Sequence, residues 1–366
     1  ELEEYRAVYV TTEFARATID TQVVFDHNGQ VAGLFFVPPR APGGAGDASL
    51  EYYVSPDYVD TEAFEERNLV IGASGWVMPA TFTFPVGEGP FPVVLLVHDS
   101  GPHDRDETVG LNKPFRDLAW GLASQGIAVL RYEKRTKTHP ERIQAIQQRY
   151  TIYDEAVNDA VAAVSLLAKM KDVDAERVYV LGHGLGGMLV PRIGALAPDI
   201  AGFIVLAGTT RPLEDVYLAQ VSYAFEFDGE LSDQEQATLE EAKEQVARVK
   251  DPDLSAETPP SQLPRGIPGS YWLDLRGYDP AEAAKDLTQP MLVLQGERDF
   301  QITVEDFEGW RAALSLRTDV EFQLYPALNH LFVAGEGPSM PNEEYAAPGH
   351  VAAHVIGDIV DWIERH

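Results

Sequence analysis

The sequence predicts an α/β protein with a doubly wound, mostly parallel sheet. From about residue 65 onwards, short apolar runs alternate with segments of helical periodicity. A glycine turn joins one such run directly to a helical segment at residues 178–188, and polar residues follow other runs where strands end. Open sheets of this class build their sites at the carboxyl ends of the strands. We therefore expect one domain over residues 65–366, with a functional site at that edge.

Residues 1–48 predict a small β-rich segment ahead of that domain. Two runs of strand-forming residues, Phe14–Phe25 and Val31–Val37, flank an Asn-Gly dipeptide, which is typical of hairpin turns. A piece of this size is not stable alone, so we interpret it as packed on the main domain or as the remnant of a larger one. Pro, Gly and Ala are then frequent in Pro38–Ala48, which predicts a linker, and residues 49–64 complete the connection.

The main domain contains several apolar runs of the buried-strand type. Helix Asp154–Lys169 carries Val157, Val161 and Val164 on one face, and it leads into the strand before the glycine turn. In chain order, the predicted strands are Phe91–His98, Arg177–Leu181, Gly202–Gly208, Met291–Leu294 and Val320–Tyr325.

The strand–helix alternation breaks between Arg211 and Gln289. Ser232 and Glu235 form a capping box that opens a helix with a single apolar stripe. We predict a mainly helical cap over residues 213–285, with aromatic side chains that line an apolar pocket. Packing of the cap onto the body is the alternative role for each of them. The candidate substrate-binding residues are His183, beside the glycine turn, and Tyr223, Phe225, Tyr271 and Trp272.

The glycine turn has two interpretations. Gly184, with Gly182 and Gly186 around it, stands at the centre of the pattern G-x-S-x-G, where a nucleophile elbow carries serine. The same residues, with Gly187, spell G-x-G-x-x-G, which is typical of a dinucleotide-binding turn. That turn needs an acidic residue at the end of the next strand, but Ala207-Gly208-Thr209 stand there. A dinucleotide-binding oxidoreductase is therefore the less favoured alternative.

The hydrolase interpretation requires an acid and then a histidine downstream of position 184. Asp299 and His330 each follow a predicted strand, in that order. Both side chains are thus expected at the carboxyl edge of the sheet, near Gly184. The backbone N–H groups of Ser100 and Leu185 are the candidates for an oxyanion hole.

The loop His98–Glu107, the segment Leu130–Thr136, the glycine turn and Leu294–Asp299 occur in this order along the chain. Together they resemble the α/β-hydrolase carboxylesterases that carry an extra N-terminal domain, from about residue 65 to the C-terminus. The resemblance implies an α/β-hydrolase fold and a Ser-Asp-His triad that cleaves carboxylic esters. Family members have Ser at position 184 and usually His-Gly where this chain has His98-Asp99. The resemblance therefore also implies a missing nucleophile and an added carboxylate beside the oxyanion hole.

We predict a carboxylic ester hydrolase that is inactive because position 184 is Gly. An engineered substitution that traps a bound ester is favoured over natural loss, because the rest of the apparatus is intact. Gly184→Ser by itself is then expected to create an active esterase. A natural pseudoenzyme that binds acyl ligands is the alternative, and peptidase or thioesterase chemistry uses the same triad.

The composition narrows the range of partners. The chain has 58 acidic against 28 basic residues, and a net charge of −30 repels nucleic acid and anionic membrane surfaces. No apolar run approaches the ~20 residues that span a bilayer, so we expect no membrane insertion. There are no Cys residues, and no cluster has zinc-ligand spacing, so we expect neither metal nor cofactor. The expected partner is a small-molecule ester. Oligomeric state stays open, as does the choice between a cytoplasmic protein and one exported with its leader removed.

Overall fold

The computed structural model describes residues 6–13, 18–25, 31–37, 53–72, 75–227, 229, 231–340 and 344–366. The chain divides into two compact units, Glu1–Val54 and Ser55–His366. The predicted Asn-Gly hairpin turn and the linker Pro38–Ala48 lie outside the described residues.

The first unit contains a three-stranded antiparallel sheet. Its strands are β1 (Arg6–Glu13), β2 (Thr18–Phe25) and β3 (Val31–Val37), and β2 is the central strand. The antiparallel pairing of β2 with β3 agrees with the predicted hairpin. Strand β1 is an addition to the two predicted runs, and its residues Ala-Val-Tyr-Val-Thr-Thr are rich in β-branched and aromatic side chains.

The second unit is built on an eight-stranded sheet. Its strands are β4 (Phe64–Ile71), β5 (Met78–Pro85), β6 (Phe91–Val97), β7 (Ala128–Tyr132), β8 (Val173–His183), β9 (Gly202–Leu206), β10 (Met291–Gly296) and β11 (Val320–Tyr325). The spatial order is β11-β10-β9-β8-β6-β7-β5-β4. Strands β6 to β11 run parallel, and the β5–β7 and β4–β5 pairs are antiparallel. The predicted doubly wound, mostly parallel sheet is therefore confirmed.

Helices pack on both faces of this sheet, and further helices form the segment between β9 and β10. They are α1 (Pro114–Ala123), α2 (Arg135–Thr138), α3 (Pro140–Ala145), α4 (Asn158–Leu167), α5 (Leu185–Leu196), α6 (Leu213–Glu226), α7 (Asp233–Lys250), α8 (Gly269–Leu275), α9 (Pro280–Ala283), α10 (Val304–Ala313) and α11 (Ala353–Arg365). A π-helical turn, Tyr153–Val157, precedes α4 where one continuous helix was predicted.

The central strand β6 shows why the strands that are buried on both faces are apolar. Val93, Leu95 and Val97 belong to the core that α4 and α5 cover, whereas Val94 and Leu96 belong to the core under α1 and α11. Because successive strand residues point to opposite faces, a strand buried on both sides has no polar position. The sheet is thereby rigid enough to position side chains at its carboxyl edge.

Residues 55–63 belong to the second unit rather than to a linker. Tyr58 packs against the core beneath α1, and the Asp60 N–H donates to Ser124 Oγ at 3.0 Å. The predicted linker 49–64 therefore extends too far, because an aromatic side chain inside it has a place in the core.

The segment 213–285 is mainly helical, as its broken alternation predicts. Ser232 and Glu235 form the predicted capping box at the start of α7. The buried side chains of α7 fall on one stripe, Leu239, Ala242, Val246 and Val249. Among the helices in the described part of the chain, none is long and apolar enough to cross a membrane.

Candidate active site

The turn between β8 and α5 is sharp and sterically crowded. Gly184 lies between them with φ 52° and ψ −113°, a conformation that glycine adopts readily and other residues adopt at a cost. A Cβ atom at Gly182 would overlap the backbone of Gly186, and one at Gly186 would overlap Val97 O. The glycines on both sides are therefore required by close packing of the turn against itself and against β6.

Asp299 and His330 form a buried pair at the carboxyl edge of the sheet. His330 Nδ1 donates to Asp299 Oδ2 at 2.7 Å, and both side chains are almost fully buried. Asp299 Oδ1 also accepts the N–H groups of Gln301 and Ile302 at 2.8 and 3.0 Å. These bonds fix the carboxylate and hence the orientation of the imidazole. The structure thus brings together the two side chains that chain order selected.

Asp99, in the loop after β6, occupies the space beside Gly184. Its Oδ1 accepts the N–H of Leu185 at 2.7 Å, and its Oδ2 lies 3.4 Å from His330 Nε2. A Cβ on residue 184 would overlap Asp99 Oδ1 and Cγ. The carboxylate therefore lies where a side chain at position 184 would project, and it takes one of the two N–H groups predicted for the oxyanion hole.

His330 lies between two carboxylates, and this sets its charge. Burial alone lowers the pKa of His330, but the nearby carboxylates of Asp299 and Asp99 outweigh burial and raise that pKa to about 10. Burial likewise raises the pKa of Asp99, but the bond to His330 and the Leu185 N–H outweigh it and hold that pKa well below its usual range. At neutral pH, the site therefore holds an imidazolium between two carboxylates, and His330 is a proton donor rather than a base.

This arrangement predicts a pH dependence of stability. The pKa of His330 is raised from 6.5 to about 10 in the folded protein. The stabilisation of the fold by the protonated imidazole is therefore complete below pH about 6.5 and is lost as the pH rises through about 10. We expect the free energy of unfolding to fall across that window. In Asp99→Asn, His330 keeps only the carboxylate of Asp299. The pKa of His330 should then be lower, and the free energy of unfolding should fall less steeply with pH. Urea unfolding of both proteins at several pH values measures this, and equal slopes would contradict the assigned charge state.

The site opens into a cavity of about 490 Å³. Asp99, Ser100 and Leu185 form its floor, and the segment 213–285 supplies much of its wall. Helix α6 lines it with one face, at positions spaced by three and four residues. The wall residues from that segment include Leu213, Val216, Tyr217, Gln220, Ile267, Tyr271 and Trp272.

Known proteins resemble this chain at the levels of sequence and fold. The family model described as Serine aminopeptidase, S33 matches residues 112–336. Esterase EstD of Thermotoga maritima is 41% identical over 365 residues, which cover 99% of this chain and 80% of EstD. The chain belongs to the α/β-hydrolase family of serine hydrolases and esterases. This confirms the family that the sequence motifs resemble.

Solved structures of more distant α/β-hydrolases share the fold. Est1E from Butyrivibrio proteoclasticus has a TM-score of 0.51 and 15% identity, over 82% of this chain and 99% of Est1E. The Pyrococcus horikoshii acylaminoacyl peptidase has a TM-score of 0.52 and 13% identity, over 95% of this chain and 48% of the peptidase.

Two side chains from outside the sheet strands hold Asp99 by bonds to both backbone groups of that residue. The Asp99 N–H donates to Glu107 Oε1 at 2.6 Å, and the Asp99 carbonyl accepts Lys134 Nζ at 2.6 Å. Lys134 Nζ also binds Glu155 Oε1 at 2.6 Å. Glu107 has a φ of 52°, a strained backbone conformation for a non-glycine residue that often marks functional sites. Glu107 and Lys134 belong to the segments that carry the family resemblance, but their roles are not predictable from sequence, because no local pattern shows which loop each side chain reaches.

Three predicted substrate-binding residues do not line the cavity. His183 is buried behind the turn, where its ring nitrogens bond Glu107 Oε2 at 2.8 Å and the His330 carbonyl at 2.9 Å. Tyr223 stacks on Phe300 and donates to the Ser339 carbonyl, and Phe225 is half-buried away from the cavity wall. The α6 residues that line the cavity end at Gln220, so Tyr223 lies beyond the wall, whereas Phe225 is on another face of the helix. Tyr271 and Trp272 are in the wall, and their role in substrate binding stays a prediction.

No group of three or more His, Asp or Glu in the described ranges could hold a metal ion.

Proposed function

We propose that the cavity is a carboxylic ester site and that position 184 is its vacant nucleophile position. The observation that carries this proposal is the buried Asp299–His330 pair, which faces the β8–α5 turn. With a serine at 184, His330 takes the hydroxyl proton as the serine attacks the ester carbonyl, and it passes that proton to the leaving alcohol. Asp299 holds the imidazole in the required tautomer, and the N–H groups of Leu185 and Ser100 bind the oxyanion.

Two features make the chain itself inactive in this reaction. Gly184 offers no hydroxyl, and loss of the nucleophile from such a triad costs about 10⁶-fold in rate. In addition, Asp99 Oδ1 already accepts the Leu185 N–H, so the carbonyl oxygen of an ester cannot use that donor. The charged His330 also lacks the lone pair that a general base needs.

Gly184 and Asp99 are sterically complementary, and this helps to decide whether the glycine is natural or engineered. The Asp99 carboxylate fills the volume that a side chain at 184 would need. Both positions are also where the chain departs from the family it resembles. A paired change supports natural loss of the serine, rather than the single engineered substitution favoured by the sequence alone.

The cavity supports esters as the ligand class. Its volume falls in the range of about 300–1,000 Å³ that small-molecule sites occupy, and apolar side chains predominate in its wall. EstD, the 41% identical relative, is an esterase by name. A panel of chromogenic esters, thioesters and amides assayed with the double variant Gly184→Ser, Asp99→Gly tests the proposal.

Binding of acyl ligands without turnover is the second candidate function. The occupied Leu185 N–H and the accessible cavity favour it for the chain as it stands. A dinucleotide site has no such support, because Ala207-Gly208-Thr209, directly after β9, include no carboxylate for a ribose.

A further inference from the structure

We propose that Asp99 acts as a nucleophile in this chain and attacks saturated carbon that carries an anionic leaving group, as in a primary alkyl halide. The two oxygens of its carboxylate have different surroundings. Oδ1 is held by the Leu185 N–H, and Oδ2 lies beside His330 Nε2. The inference goes beyond ester hydrolysis, because it concerns the residue that blocks the ester reaction.

The Asp99 carboxylate is both anchored and accessible. Its backbone N–H and carbonyl are bonded to Glu107 and Lys134 respectively, so the loop carries it in one position. Its side chain is 21% exposed and belongs to the cavity floor, whereas that of Asp299 is fully buried. A substrate in the cavity can therefore reach Asp99 but cannot reach Asp299.

The position of Oδ1 favours attack on saturated carbon over attack on an ester. Attack on a carbonyl needs a free oxyanion donor for the substrate's oxygen, but here the enzyme's own oxygen holds the Leu185 N–H. A weakly basic carboxylate also expels a strongly basic alkoxide slowly. Displacement at saturated carbon needs no oxyanion hole, and a halide is a weaker base than the carboxylate that replaces it.

The cavity wall supplies a cation for the departing anion. Arg265 lies in that wall, and its guanidinium donates to Ser100 Oγ at 3.1 Å and to Gln220 Oε1 at 2.8 Å. Ser100 follows Asp99 in the chain, so the positive charge is near the nucleophile. It can attract the leaving anion without a metal ion.

In the first step, Asp99 Oδ2 forms a bond to the carbon, and the carbon–halogen bond breaks with its electron pair leaving on the halide. The product is a neutral alkyl ester of Asp99. Loss of that negative charge lowers the pKa of His330, which releases its proton to solvent. His330 Nε2 then has a lone pair and faces the new ester.

In the second step, water attacks Asp99 Cγ while His330 takes one of its protons. The oxyanion forms on Oδ1, where the Leu185 N–H already donates. Collapse breaks the Cγ–Oδ2 bond, and the alcohol leaves with the proton from His330. The remaining acid proton passes from Asp99 to His330, which restores the starting ion pairs. The balance is alkyl halide plus water giving alcohol, halide and one proton.

The test uses the wild-type protein and asks whether the oxygen of the attacking water ends in Asp99 or in the alcohol. The probes are 1-bromohexane, 1-bromobutane and hexyl methanesulfonate, in single turnovers with excess protein in ¹⁸O-labelled water. We expect release of the leaving anion, with the label in the tryptic peptide that contains Asp99 and ordinary oxygen in the alcohol. Label in the alcohol with none in that peptide would mean direct attack by water, and the proposal would be wrong.

Two variants complete the experiment. His330→Ala should accumulate the alkyl ester on Asp99, visible by intact mass and peptide mapping, because formation needs no base but hydrolysis does. Asp99→Asn keeps the side-chain volume. It should slow release of the anion by at least about 10⁴-fold, and no adduct should form. If wild type and His330→Ala fold normally yet yield neither anion nor adduct with all three probes, Asp99 only fills the turn. Ester hydrolysis by the double variant of position 184 is a separate measurement, so the two proposals fail independently.

Discussion

Ester hydrolysis should rise about 10⁴- to 10⁶-fold over the wild type in the double variant Gly184→Ser, Asp99→Gly. Serine supplies the missing hydroxyl beside His330. Removal of Asp99 frees the Leu185 N–H for the oxyanion, and it lowers the pKa of His330, so that the imidazole can accept the serine proton. Hydrolysis of p-nitrophenyl esters of different acyl length measures the gain.

The two single variants are the matched controls for this experiment. Gly184→Ser alone places its Cβ against the Asp99 carboxylate, and Asp99→Gly alone opens the site without a nucleophile, so each should gain little. The expectation that Gly184→Ser alone is sufficient needs correction for this reason. His330→Ala in the double variant should remove most of the gain. A folded double variant that cleaves no ester, thioester or amide would refute the hydrolase assignment.

Serine at position 184 also has a cost in stability. The backbone there has a φ of 52°, and a non-glycine residue in this region costs about 1–3 kcal/mol. The double variant should therefore unfold at a lower urea concentration than Asp99→Gly alone, which shares every other feature.

Lys134→Ala should lower the free energy of unfolding by about 3–5 kcal/mol, the cost of leaving a buried charge without its partner. Lys134 and Glu155 are both buried, and Lys134 Nζ also binds the Asp99 carbonyl. Without the ammonium group, Glu155 keeps only neutral donors such as the Tyr271 hydroxyl. Urea denaturation followed by circular dichroism measures the loss.

Lys137→Ala is the control, because Lys137 is exposed on α2, the short helix that directly follows Lys134, and we expect a change within about 0.5 kcal/mol. Lys134→Met combined with Glu155→Leu should recover much of the stability, since it removes both charges and retains apolar volume. A loss of less than about 1 kcal/mol in Lys134→Ala would show that water or another group neutralises Glu155.

The sequence alone determined the sheet class, the family and the positions of Asp299 and His330. These follow from local patterns: apolar runs separated by helices, a glycine turn, and polar residues directly after strands. Parallel strands bring their carboxyl ends to one edge, so a residue's place just after a strand already predicts its neighbourhood. The capping box of α7 and its apolar stripe were local in the same way. Strand β1 also has a local signal, a run of β-branched and aromatic residues, although it was not among the predicted strands.

Only the tertiary structure decided where individual side chains point. Asp99 was visible in the sequence as an unusual carboxylate, but its contact with the turn depends on a rotamer and on a loop held by Glu107 and Lys134. Likewise, the α6 residues that line the cavity end at Gln220, and the Tyr223 hydroxyl beyond them donates to the Ser339 carbonyl. Such contacts join residues that are far apart in the chain. The local sequence does not distinguish between the possible side-chain orientations, and burial, packing and charge pairing in the folded protein select one of them. The same packing makes Gly184 and Asp99 a complementary pair.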